Sequence, residues 1–311
     1  NVIGKIYAGI ADDMLTTTIM ATKAPKYLCP AMNTEMYNNP ITQRNLEGLR
    51  SLGYHIMDPA EGWLACGITG VGRLPEPEAI VDWLESKMCS TNELEGTTIL
   101  VTAGGTQESI DPVRYIGNRS SGKMGYAIAE QAVRMGAKVI LVSAPTSLPI
   151  PSGVDFISVD SAVSMQEAVE ARYNDVNVVI MAAAVSDFRV LHKAEQKIKK
   201  MESMTIELVK NPDILQGLGS KKSHQILVGF AAETEHVIKY GQDKVARKNL
   251  DMLVANDVSK SNAGFNVDTN EGYFLYPDKE PKEMPNMKKS ELARHILREV
   301  IDLVANKADI N

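Results

Sequence analysis

The stretch TTILVTAGGTQESIDPVRYIGNRSSGKMG (97–125) decides how the chain folds. It opens with an apolar run at 97–103, typical of a buried strand, which leads into a glycine turn. A helix is predicted from Ser121 to Met135, because apolar side chains recur at helical spacing and Gly136 follows in a C-cap position. The next apolar run, KVILVSA, predicts a second strand. A strand, a turn, a helix and a second strand in this order are typical of α/β proteins with a parallel sheet.

The same alternation of apolar runs and amphipathic segments continues to the end of the chain. Further strands are predicted at 155–159, 177–184, 205–209, 224–232 and 251–256, with an edge strand at 272–277. Helices are predicted at 161–173, 211–219, 237–249 and 288–306. We therefore expect an α/β protein whose mostly parallel sheet is covered by helices on both faces. Residues that follow such strands gather at the edge where open α/β sheets bind ligands.

The first ninety residues form a separate and shorter pattern. In order, it predicts a helix over 1–22, the apolar strand KYLCPAM, a helix near 41–54, a glycine-rich loop from Glu61 to Gly72 and a helix near 75–88. This is about half of an α/β domain. Because the polar stretch CSTNELEG (89–96) then reads as a linker, we expect two domains, at 1–93 and 94–311.

The composition limits the class of protein. Apolar residues make up 44% of the chain, charged residues 23%, and the net charge of −6 argues against a general nucleic-acid-binding or membrane-binding surface. The sequence contains no apolar run of the roughly 18 residues that a transmembrane helix needs. Cys29, Cys66 and Cys89 are odd in number and widely spaced, so we expect neither disulfides nor a metal site, and a cytoplasmic location. Since the chain begins at Asn1 rather than methionine, we also expect a segment upstream.

The turn GNRSSGKMG (117–125) comes within one residue of the phosphate-binding pattern G-x-x-x-x-G-K-[ST]. Met124 stands where that pattern needs a hydroxyl for magnesium, and no strand runs directly into the turn, so an ATPase loop is disfavoured. A simpler alternative is that Ser120 or Ser121 caps a helix. Because two glycine- and hydroxyl-rich turns lie near the carboxyl end of the first strand, we favour a phosphate-bearing ligand. A dinucleotide is less favoured, since no G-x-G-x-x-G follows the strand.

Cationic side chains recur where strands pass into helices. They are Lys197, Lys199 and Lys200 within four positions, then Lys244, Arg247 and Lys248 at helical spacing. A third cation, Lys210, precedes Asn211 and Pro212, and proline suits the first turn of a helix. For each cluster alone, the alternative is a solvated surface. Their shared placement favours a triphosphate ligand.

Two further candidates follow apolar runs. Asp187 comes after VVIMAAAVS, where a carboxylate can hold a ribose hydroxyl or a magnesium ion; capping the next turn is an equal alternative. Phe230 lies near the end of another strand. A core position is the first interpretation of this phenylalanine, and packing on a base or sugar is the second.

Seven separated motifs closely resemble the phosphopantothenate–cysteine ligase domain of bacterial bifunctional coenzyme A biosynthesis proteins. In chain order they are VTAGGTQESIDPVRYIGNRSSGKMG, AAAVSDF, KIKK, LVKNPDIL, VGFAAET, KVARKNLDMLVANDVS and GFNVD. The first ninety residues resemble the C-terminal part of the partner domain, a flavin-dependent phosphopantothenoylcysteine decarboxylase. The resemblance implies a Rossmann-like, mostly parallel sheet in the ligase domain, preceded by the C-terminal part of a flavodoxin-like flavoprotein domain.

For the ligase domain, the resemblance implies that CTP, with Mg²⁺, converts 4′-phosphopantothenate into an acyl-cytidylate, which the amino group of cysteine then attacks. By motif position, Lys197 would neutralise charge during activation, and Asn118, with Arg114 nearby, would serve the acyl-cytidylate. The CTP-contacting places of the family are held here by Asp187, Lys197, Asn211, Pro212, Asp213, Ile214, Phe230, Lys244 and Lys248. The choice of CTP over ATP rests on the resemblance alone.

For the first domain, the resemblance implies FMN as cofactor and conversion of 4′-phospho-N-pantothenoylcysteine to 4′-phosphopantetheine. Asn33, in PAMN, would bind the substrate carboxylate. Cys66, in GWLACGITGVGRLPEP, would protonate the enethiolate left by oxidative decarboxylation; the alternative is a small buried apolar residue. The family's upstream flavin segment and catalytic histidine have no counterpart, and His55 lies after PAMN, so we expect this domain to be incomplete.

Two functions of other classes stay open at this point: a Rossmann-type NAD(P)-binding oxidoreductase and a non-catalytic nucleotide-sensing module. The resemblance also implies small-molecule substrates, and a homo-oligomer that dimerises through the ligase domain. Neither nucleic acid nor membrane is expected as a partner.

Overall fold

The computed structural model describes residues 1–64, 67, 69–88, 91–200, 202–233, 235–257 and 269–308. The chain separates into two compact units, unit 1 (residues 1–90) and unit 2 (residues 91–311). Within the described ranges, no helix combines the length and the apolar character that crossing a membrane requires.

Unit 1 consists of short helices and two small strand pairs. Its elements are α1 (Val2–Ala8), α2 (Met14–Ala21), β1 (Tyr27–Leu28), α3 (Thr34–Asn38), α4 (Pro40–Ser51), β2 (His55–Ile56), β3 (Ala60–Trp63), β4 (Thr69–Arg73) and α5 (Pro77–Met88). Strands β1 and β2 pair in parallel, and β3 and β4 pair as an antiparallel hairpin.

The single helix predicted over residues 1–22 is wrong, because the chain breaks it between α1 and α2. Asp13 has an extended backbone with φ −139°, and its side chain accepts a hydrogen bond of 2.8 Å from the Thr16 N–H. This capping interaction satisfies a free donor at the start of α2, so a new helix begins there.

The glycine-rich stretch predicted as a loop from Glu61 to Gly72 contains the hairpin β3–β4 instead. At Gly72 the absence of a side chain permits close packing. A Cβ atom on Gly72 would lie 2.0 Å from the Met32 carbonyl oxygen, and the Met32 N–H donates to the Gly72 carbonyl at 2.9 Å. The hairpin therefore packs directly on the PAMN segment.

Unit 2 is an α/β domain around one large sheet. Its elements are β5 (Thr98–Ala103), β6 (Gln107–Ser109), β7 (Tyr115–Gly117), α6 (Lys123–Arg134), β8 (Lys138–Ser143), β9 (Val154–Ser158), α7 (Ala162–Glu170), a 3₁₀ turn (Tyr173–Asp175), β10 (Val178–Met181), β11 (Phe188–Val190), β12 (Leu208–Lys210), α8 (Ile214–Lys221), β13 (Ile226–Glu233), α9 (Val237–Arg247), β14 (Met252–Asp257), β15 (Thr269–Leu275), β16 (Lys282–Lys288) and α10 (Lys289–Ala308).

The strand order of this sheet is β16-β15-β14-β13-β10-β5-β8-β9. The strands from β14 to β9 are all parallel to their neighbours, whereas β15 and β16 run antiparallel. Counted from β5, the parallel part has the order 3-2-1-4-5-6 of a Rossmann sheet, with the reversal between β5 and β10. The structure thus confirms the Rossmann-like, mostly parallel sheet.

Both faces of the sheet are covered, which explains why its strands are apolar throughout. On one face, Ile99 and Val101 of β5 belong to a core with residues of α6 and α10. On the other face, Leu100 of β5 belongs to a core with residues of α7, α8 and α9. Side chains of one strand alternate between the two cores, as the twofold period of a strand requires.

Two strands predicted in unit 2 exist, but they occupy other positions than expected in the sheets. The segment 272–277, predicted as the edge, lies inside β15 and the turn after it, and β16 forms the edge beyond it. Sequence analysis did not predict β16, because Pro285 lies within it and proline disfavours a strand. An edge strand tolerates proline, since one of its sides forms no hydrogen bonds with a neighbouring strand. The strand predicted at 205–209 is the short β12, which pairs with β11 outside the large sheet.

Helix α6 packs against β5 at unusually close range. A Cβ atom on Gly125 would lie 2.6 Å from the Ala103 Cβ and 2.8 Å from the Thr102 carbonyl oxygen. Only glycine permits this distance, and it sets the position of the helix start beside the glycine turn.

We expect Gly125→Ala to lower the free energy of unfolding by about 1–3 kcal/mol, because the added methyl group overpacks the contact between α6 and β5. Gly217→Ala is the matched control: Gly217 lies in α8, and no heavy atom lies within 4 Å of the place that an added methyl group would take. There the change should be neutral or raise stability by up to about 1 kcal/mol. Urea unfolding followed by circular dichroism measures both, and equal effects would contradict the packing argument.

Candidate functional site

A crevice lies at the carboxyl edge of the sheet, where the strand order reverses between β5 and β10. The loops after these strands continue the parallel pairing, since the Ala184 N–H donates to the Gly104 carbonyl at 2.8 Å and the Thr106 N–H donates to the Ala184 carbonyl at 3.3 Å. The backbone on both sides of the reversal is therefore held in one fixed arrangement.

Two side chains reinforce this junction. The buried Thr106 hydroxyl accepts a hydrogen bond of 2.9 Å from the Ser186 N–H. The Asn118 carboxamide donates to the Val185 carbonyl at 3.1 Å. Asn118 consequently ties the glycine turn 117–122 to the loop after β10, at the rim of the crevice.

The centre of the crevice is a cavity of about 320 Å³, here named the central cavity. Its walls combine the glycine turn and the start of α6 with backbone after β10 and polar side chains from later elements. The lining residues are Asn118, Ser120–Gly125, Ala182–Val185, Asp187, Phe230–Ala232, Lys244, Asn256, Asn270 and Lys289. Among the described residues, the cavity is thus lined by lysines, a helix N-terminus and the Asp187 carboxylate, an arrangement suited to an anionic ligand with a bound cation.

A second cleft of about 230 Å³, the side cleft, shares Asp187 and Phe230 with the central cavity. Its other walls include the start of α8. Every CTP-contacting position expected from the resemblance lines one of these two spaces, apart from Lys197: Asp187, Asn211, Pro212, Asp213, Ile214, Phe230, Lys244 and Lys248. The fold therefore gathers residues that are far apart in sequence.

On its outer side, the glycine turn borders a wider cleft of about 660 Å³, the front cleft. Residues 145–148 after β8 form its opposite wall. Asn118 lines both the front cleft and the central cavity, so it lies between two spaces that could hold two different ligands.

The start of α8 is organised by Asn211 and Asp213. The buried Asn211 donates to the Ser186 carbonyl at 2.8 Å and accepts from Arg189 at 3.1 Å. Asp213 caps α8 through the Gln216 N–H at 3.0 Å and pairs with Lys248 at 2.9 Å. Burial raises the pKa of Asp213, but the hydrogen bonds from Lys248 and Gln216 outweigh it and hold the pKa below its ordinary value. The carboxylate is therefore ionised at neutral pH.

Arg114 and Lys197 lie apart from the crevice. Together with Val113, Ile198, Lys199 and Lys200 they line a separate cleft of about 560 Å³, the outer cleft. The structure thus brings the two predicted residues together, but it does not bring either of them into the central cavity or the side cleft.

The buried Asp111 organises the outer cleft. Its carboxylate accepts hydrogen bonds from the N–H groups of Val113, Arg114 and Ile198 at 2.8, 2.9 and 3.1 Å, and it pairs with the Arg114 guanidinium. Burial raises the pKa of Asp111, but these hydrogen bonds and the Arg114 charge lower it further than burial raises it. One ionised carboxylate thereby joins the lysine-rich segment to the β6–β7 ribbon.

In unit 1, Asn33 lies in a cleft of about 390 Å³ whose walls are otherwise mostly apolar. The lining residues are Ala31, Met32, Asn33, Trp63, Leu64, Gly72, Arg73 and Leu74. The PAMN segment and the hairpin, predicted to serve one substrate, face the same space. Cys66 and the GFNVD motif lie outside the described residues.

Sequence analysis missed part of the central cavity. Asn256 is the last residue of the strand predicted at 251–256, so attention to the carboxyl ends of parallel strands would have identified it. Asn270 begins an antiparallel strand and Lys289 begins the closing helix, and neither carries a local motif. Their role as cavity walls depends on how β15 and α10 pack.

We expect Asp111→Asn to lower the unfolding midpoint at pH 7, because an amide nitrogen would face N–H donors. Folding lowers the pKa of Asp111 below its ordinary value of 3.8, so the ionised carboxylate stabilises the folded state. This contribution to the free energy of unfolding is complete above pH 3.8 and is lost as the pH falls through the pKa of the folded state. The difference between wild type and variant should therefore stay constant from pH 7 to about 4 and shrink in stronger acid.

Urea unfolding over this pH range measures the effect, with the exposed Asp155→Asn as the control. Trypsin cleavage after Lys197 at pH 7.5 should accelerate in the Asp111 variant alone. Unchanged midpoints at pH 7 would contradict the assigned role of the carboxylate.

Comparisons with known proteins extend over nearly the whole chain. The family described as DNA/pantothenate metabolism flavoprotein C-terminal domain matches residues 94–304, and the flavoprotein family matches residues 1–89. The coenzyme A biosynthesis bifunctional protein CoaBC of Bacillus subtilis is 49% identical over 307 residues, which are 97% of this chain and 76% of that protein. Its Escherichia coli K12 counterpart is 44% identical over 306 residues, with coverage of 97% and 75%.

A solved structure agrees with these matches. The crystal structure of the C-terminal domain of CoaBC aligns with a TM-score of 0.61 at 44% identity, covering 70% of this chain and all of that one. These findings confirm the family expected from the seven motifs and set aside the oxidoreductase alternative. The chain therefore belongs to the CoaBC family of bifunctional coenzyme A biosynthesis proteins, which combine a phosphopantothenoylcysteine decarboxylase with a phosphopantothenate–cysteine ligase.

Proposed function

We propose that unit 2 ligates 4′-phosphopantothenate to cysteine with CTP, through an acyl-cytidylate, in the crevice between β5 and β10. The observation that carries this proposal is the shared wall of Asp187 and Phe230 between the central cavity and the side cleft. A nucleotide that spans both spaces would contact the glycine turn at one end and the start of α8 at the other.

The reaction needs activation because a carboxylate is a poor acyl donor. In the first step a carboxylate oxygen of 4′-phosphopantothenate attacks the α-phosphorus of CTP, and pyrophosphate leaves with the electron pair of the broken P–O bond. In the second step the cysteine amine attacks the acyl carbon, and CMP leaves. The amine loses one proton as the amide forms.

The start of α6 suits the phosphates of the nucleotide. Helix N-termini present N–H donors and a partial positive charge, and Lys123 lines the same cavity. Lys244 and Lys248, one turn apart in the chain and on the walls of the two spaces, would add positive charge along the nucleotide. Asp187 would accept from a ribose hydroxyl or hold a cation.

Magnesium fits this site as an ion that arrives with the nucleotide. In the described ranges, no group of three or more His, Cys, Asp or Glu side chains could hold a metal by itself. Mg²⁺ commonly takes one or two protein carboxylates together with substrate phosphates, and Asp187 supplies a carboxylate beside the buried carboxamide oxygens of Asn256 and Asn270. When bound, the ion would reduce the repulsion between the attacking carboxylate and the phosphates.

Asn118 would act on the acyl-cytidylate. It stands between the central cavity and the front cleft, so we propose that CTP occupies the former and that 4′-phosphopantothenate approaches through the latter. A carboxamide at that point can donate to an oxygen on which charge develops. Arg114 and Lys197 would assist only after the lysine-rich segment moves or when the outer cleft of a second chain reaches the crevice.

For unit 1 we propose decarboxylation of 4′-phospho-N-pantothenoylcysteine. A cleft with apolar walls, the Asn33 carboxamide and the Arg73 guanidinium fits a carboxylate-bearing substrate beside a planar ring, so FMN is compatible with the residues present. When bound, FMN would supply the redox chemistry. The role of this chain's own residues is to bind the carboxylate at Asn33 and to exclude water with Trp63 and Met32; Cys66 is the proposed proton donor.

We further propose that the protein is cytoplasmic and dimerises through unit 2. Exposed apolar side chains cluster on the two short ribbons, Val113 and Tyr115 at β6–β7 and Phe188 and Leu208 at β11–β12. The ribbons contact one another and are not hydrogen-bonded into the large sheet, and exposed apolar surface of this kind is typical of protein interfaces.

Asn118→Asp should slow ligation by about 100- to 1,000-fold, because it replaces a donor by a negative charge where charge develops. Pyrophosphate release from CTP, 4′-phosphopantothenate and Mg²⁺, followed by product formation on adding cysteine, measures both steps. The control is Asn92→Asp, since Asn92 is exposed and does not line the clefts described above. Wild-type protein that binds CTP without any turnover would instead favour a nucleotide sensor.

Phe188→Asp should shift a dimer of the wild-type protein to monomer, because a carboxylate would then be buried in the apolar interface. Sedimentation velocity at several concentrations measures the mass. Ile150→Asp, an exposed apolar residue on a different loop, should leave the mass unchanged. Monomeric wild-type protein would contradict the dimer and leave the ligase proposal intact.

A further inference from the structure

One wall of the central cavity consists of Asn256, Asn270 and Lys289. The proposed mechanism uses the two carboxamides only beside a magnesium ion, and it gives Lys289 no task. Asn270 is 3% exposed and Lys289 is 7% exposed. Polar side chains this deeply buried in a cavity wall need a physical reason, because removing them from water is costly unless a partner compensates.

The three residues meet on the α6 and α10 side of the sheet. Asn256 lies on the same face of β14 as Val254, which belongs to the core shared with α6 and α10. Asn270 lies in contact with α6, since its Nδ2 is 3.9 Å from the Met124 sulfur. Lys289 is the first residue of α10. The wall therefore adjoins the start of α6.

The carboxamides point to a ligand. Among the described residues, the Oδ1 atoms of Asn256 and Asn270 are buried and have no hydrogen-bond partner. An acceptor of this kind is satisfied by a donor that comes with a ligand, such as the water carried by a bound magnesium ion. These side chains belong to a site that is complete only when occupied.

The charges indicate which part of the ligand lies there. Lys123, Lys244 and Lys289 line the same cavity as the start of α6, and among the described lining residues Asp187 is the carboxylate. Several lysines beside a helix N-terminus suit a polyphosphate. The ribose and base would then lie toward the side cleft, beyond Asp187 and Phe230.

We infer that Lys289 binds the β- and γ-phosphates of the nucleotide, the group that leaves as pyrophosphate, and that the Asn270 carboxamide oxygen accepts from a water that accompanies these phosphates and their cation. This inference rests on the proposed function. As the bond between the α-phosphorus and its bridging oxygen breaks, the electron pair stays on that oxygen, and the Lys289 ammonium stabilises the charge of the departing pyrophosphate. No proton transfer from Lys289 is needed.

The test compares nucleotides that differ only in these two phosphates. In Lys289→Met, isothermal titration should give a Kd for CTP with Mg²⁺ that is at least about tenfold weaker, with the Kd for CMP within about twofold of wild type. The Kd of the variant for inorganic pyrophosphate should be weakened to a similar extent as its Kd for CTP. Lys289→Arg should recover most of the loss, because it restores the charge.

The matched control is Lys288→Met, which removes the adjacent, exposed lysine at the end of β16 and should leave all three affinities unchanged. Asn270→Asp provides an independent variant, should Lys289→Met fold poorly. A carboxylate at that position should weaken the binding of CTP and of pyrophosphate but leave the Kd for CMP unchanged.

Equal losses for CTP and CMP, or no loss for either, would overturn the inference and assign Lys289 to the packing of α10. Wild-type protein that binds neither nucleotide would refute the proposed function instead. The rate of pyrophosphate release should fall in Lys289→Met, whereas cysteine should react with a supplied acyl-cytidylate at the wild-type rate; slowing of this second step alone would also overturn the inference.

Discussion

The hydrogen bonds between the loops after β5 and β10 are the constraint on which the site depends. Ala184 donates to the Gly104 carbonyl at 2.8 Å, and Thr106 and Asn118 bind neighbouring backbone groups of the same loop. In a Rossmann sheet the chain leaves these two strands in opposite directions, which opens a crevice between them. Hydrogen bonds between the two loops hold the backbone at the base of that crevice. The Asn118 hydrogen bond then fixes the position of the glycine turn, and with it the start of α6, relative to this backbone.

Such a fixed arrangement suits the two consecutive reactions proposed for this site. The proposed acyl-cytidylate would have to stay in place while pyrophosphate leaves and cysteine enters, so the groups that hold its two ends should not move with the leaving group. The glycine turn and α8 are fixed by the sheet, and the buried Asn211 ties the loop before α8 to Ser186. Lys197 belongs to a segment that is held against the β6–β7 ribbon outside the crevice. The Ile198 N–H donates to the Asp111 carboxylate at 3.1 Å, and Arg114 donates to the Ile198 carbonyl at 2.6 Å.

Sequence analysis predicted cavity-lining residues where a residue comes after a parallel strand or begins a helix. Asp187 and Asn211 were predicted in this way, because strand and helix ends are visible in the hydrophobic pattern, whereas the first interpretation of Phe230 was a core position. The same analysis missed Lys289 and Asn270, since they come from the closing helix and an antiparallel strand. It also treated the hairpin β3–β4 as a loop, because the close contact of Gly72 with Met32 is a tertiary contact with no local signature.

The sequence by itself determined the α/β class, the strand and helix order of unit 2 and the family, because these depend on local periodicity and on motifs that remain contiguous. Only the tertiary structure decided which side chains share a cavity. It separated Lys197 from the crevice, joined Asn118 to Val185 and brought Asn256, Asn270 and Lys289 to one wall. The physical reason is that strand order and helix packing bring residues together across long stretches of chain, and their energies arise from contacts that no local pattern encodes.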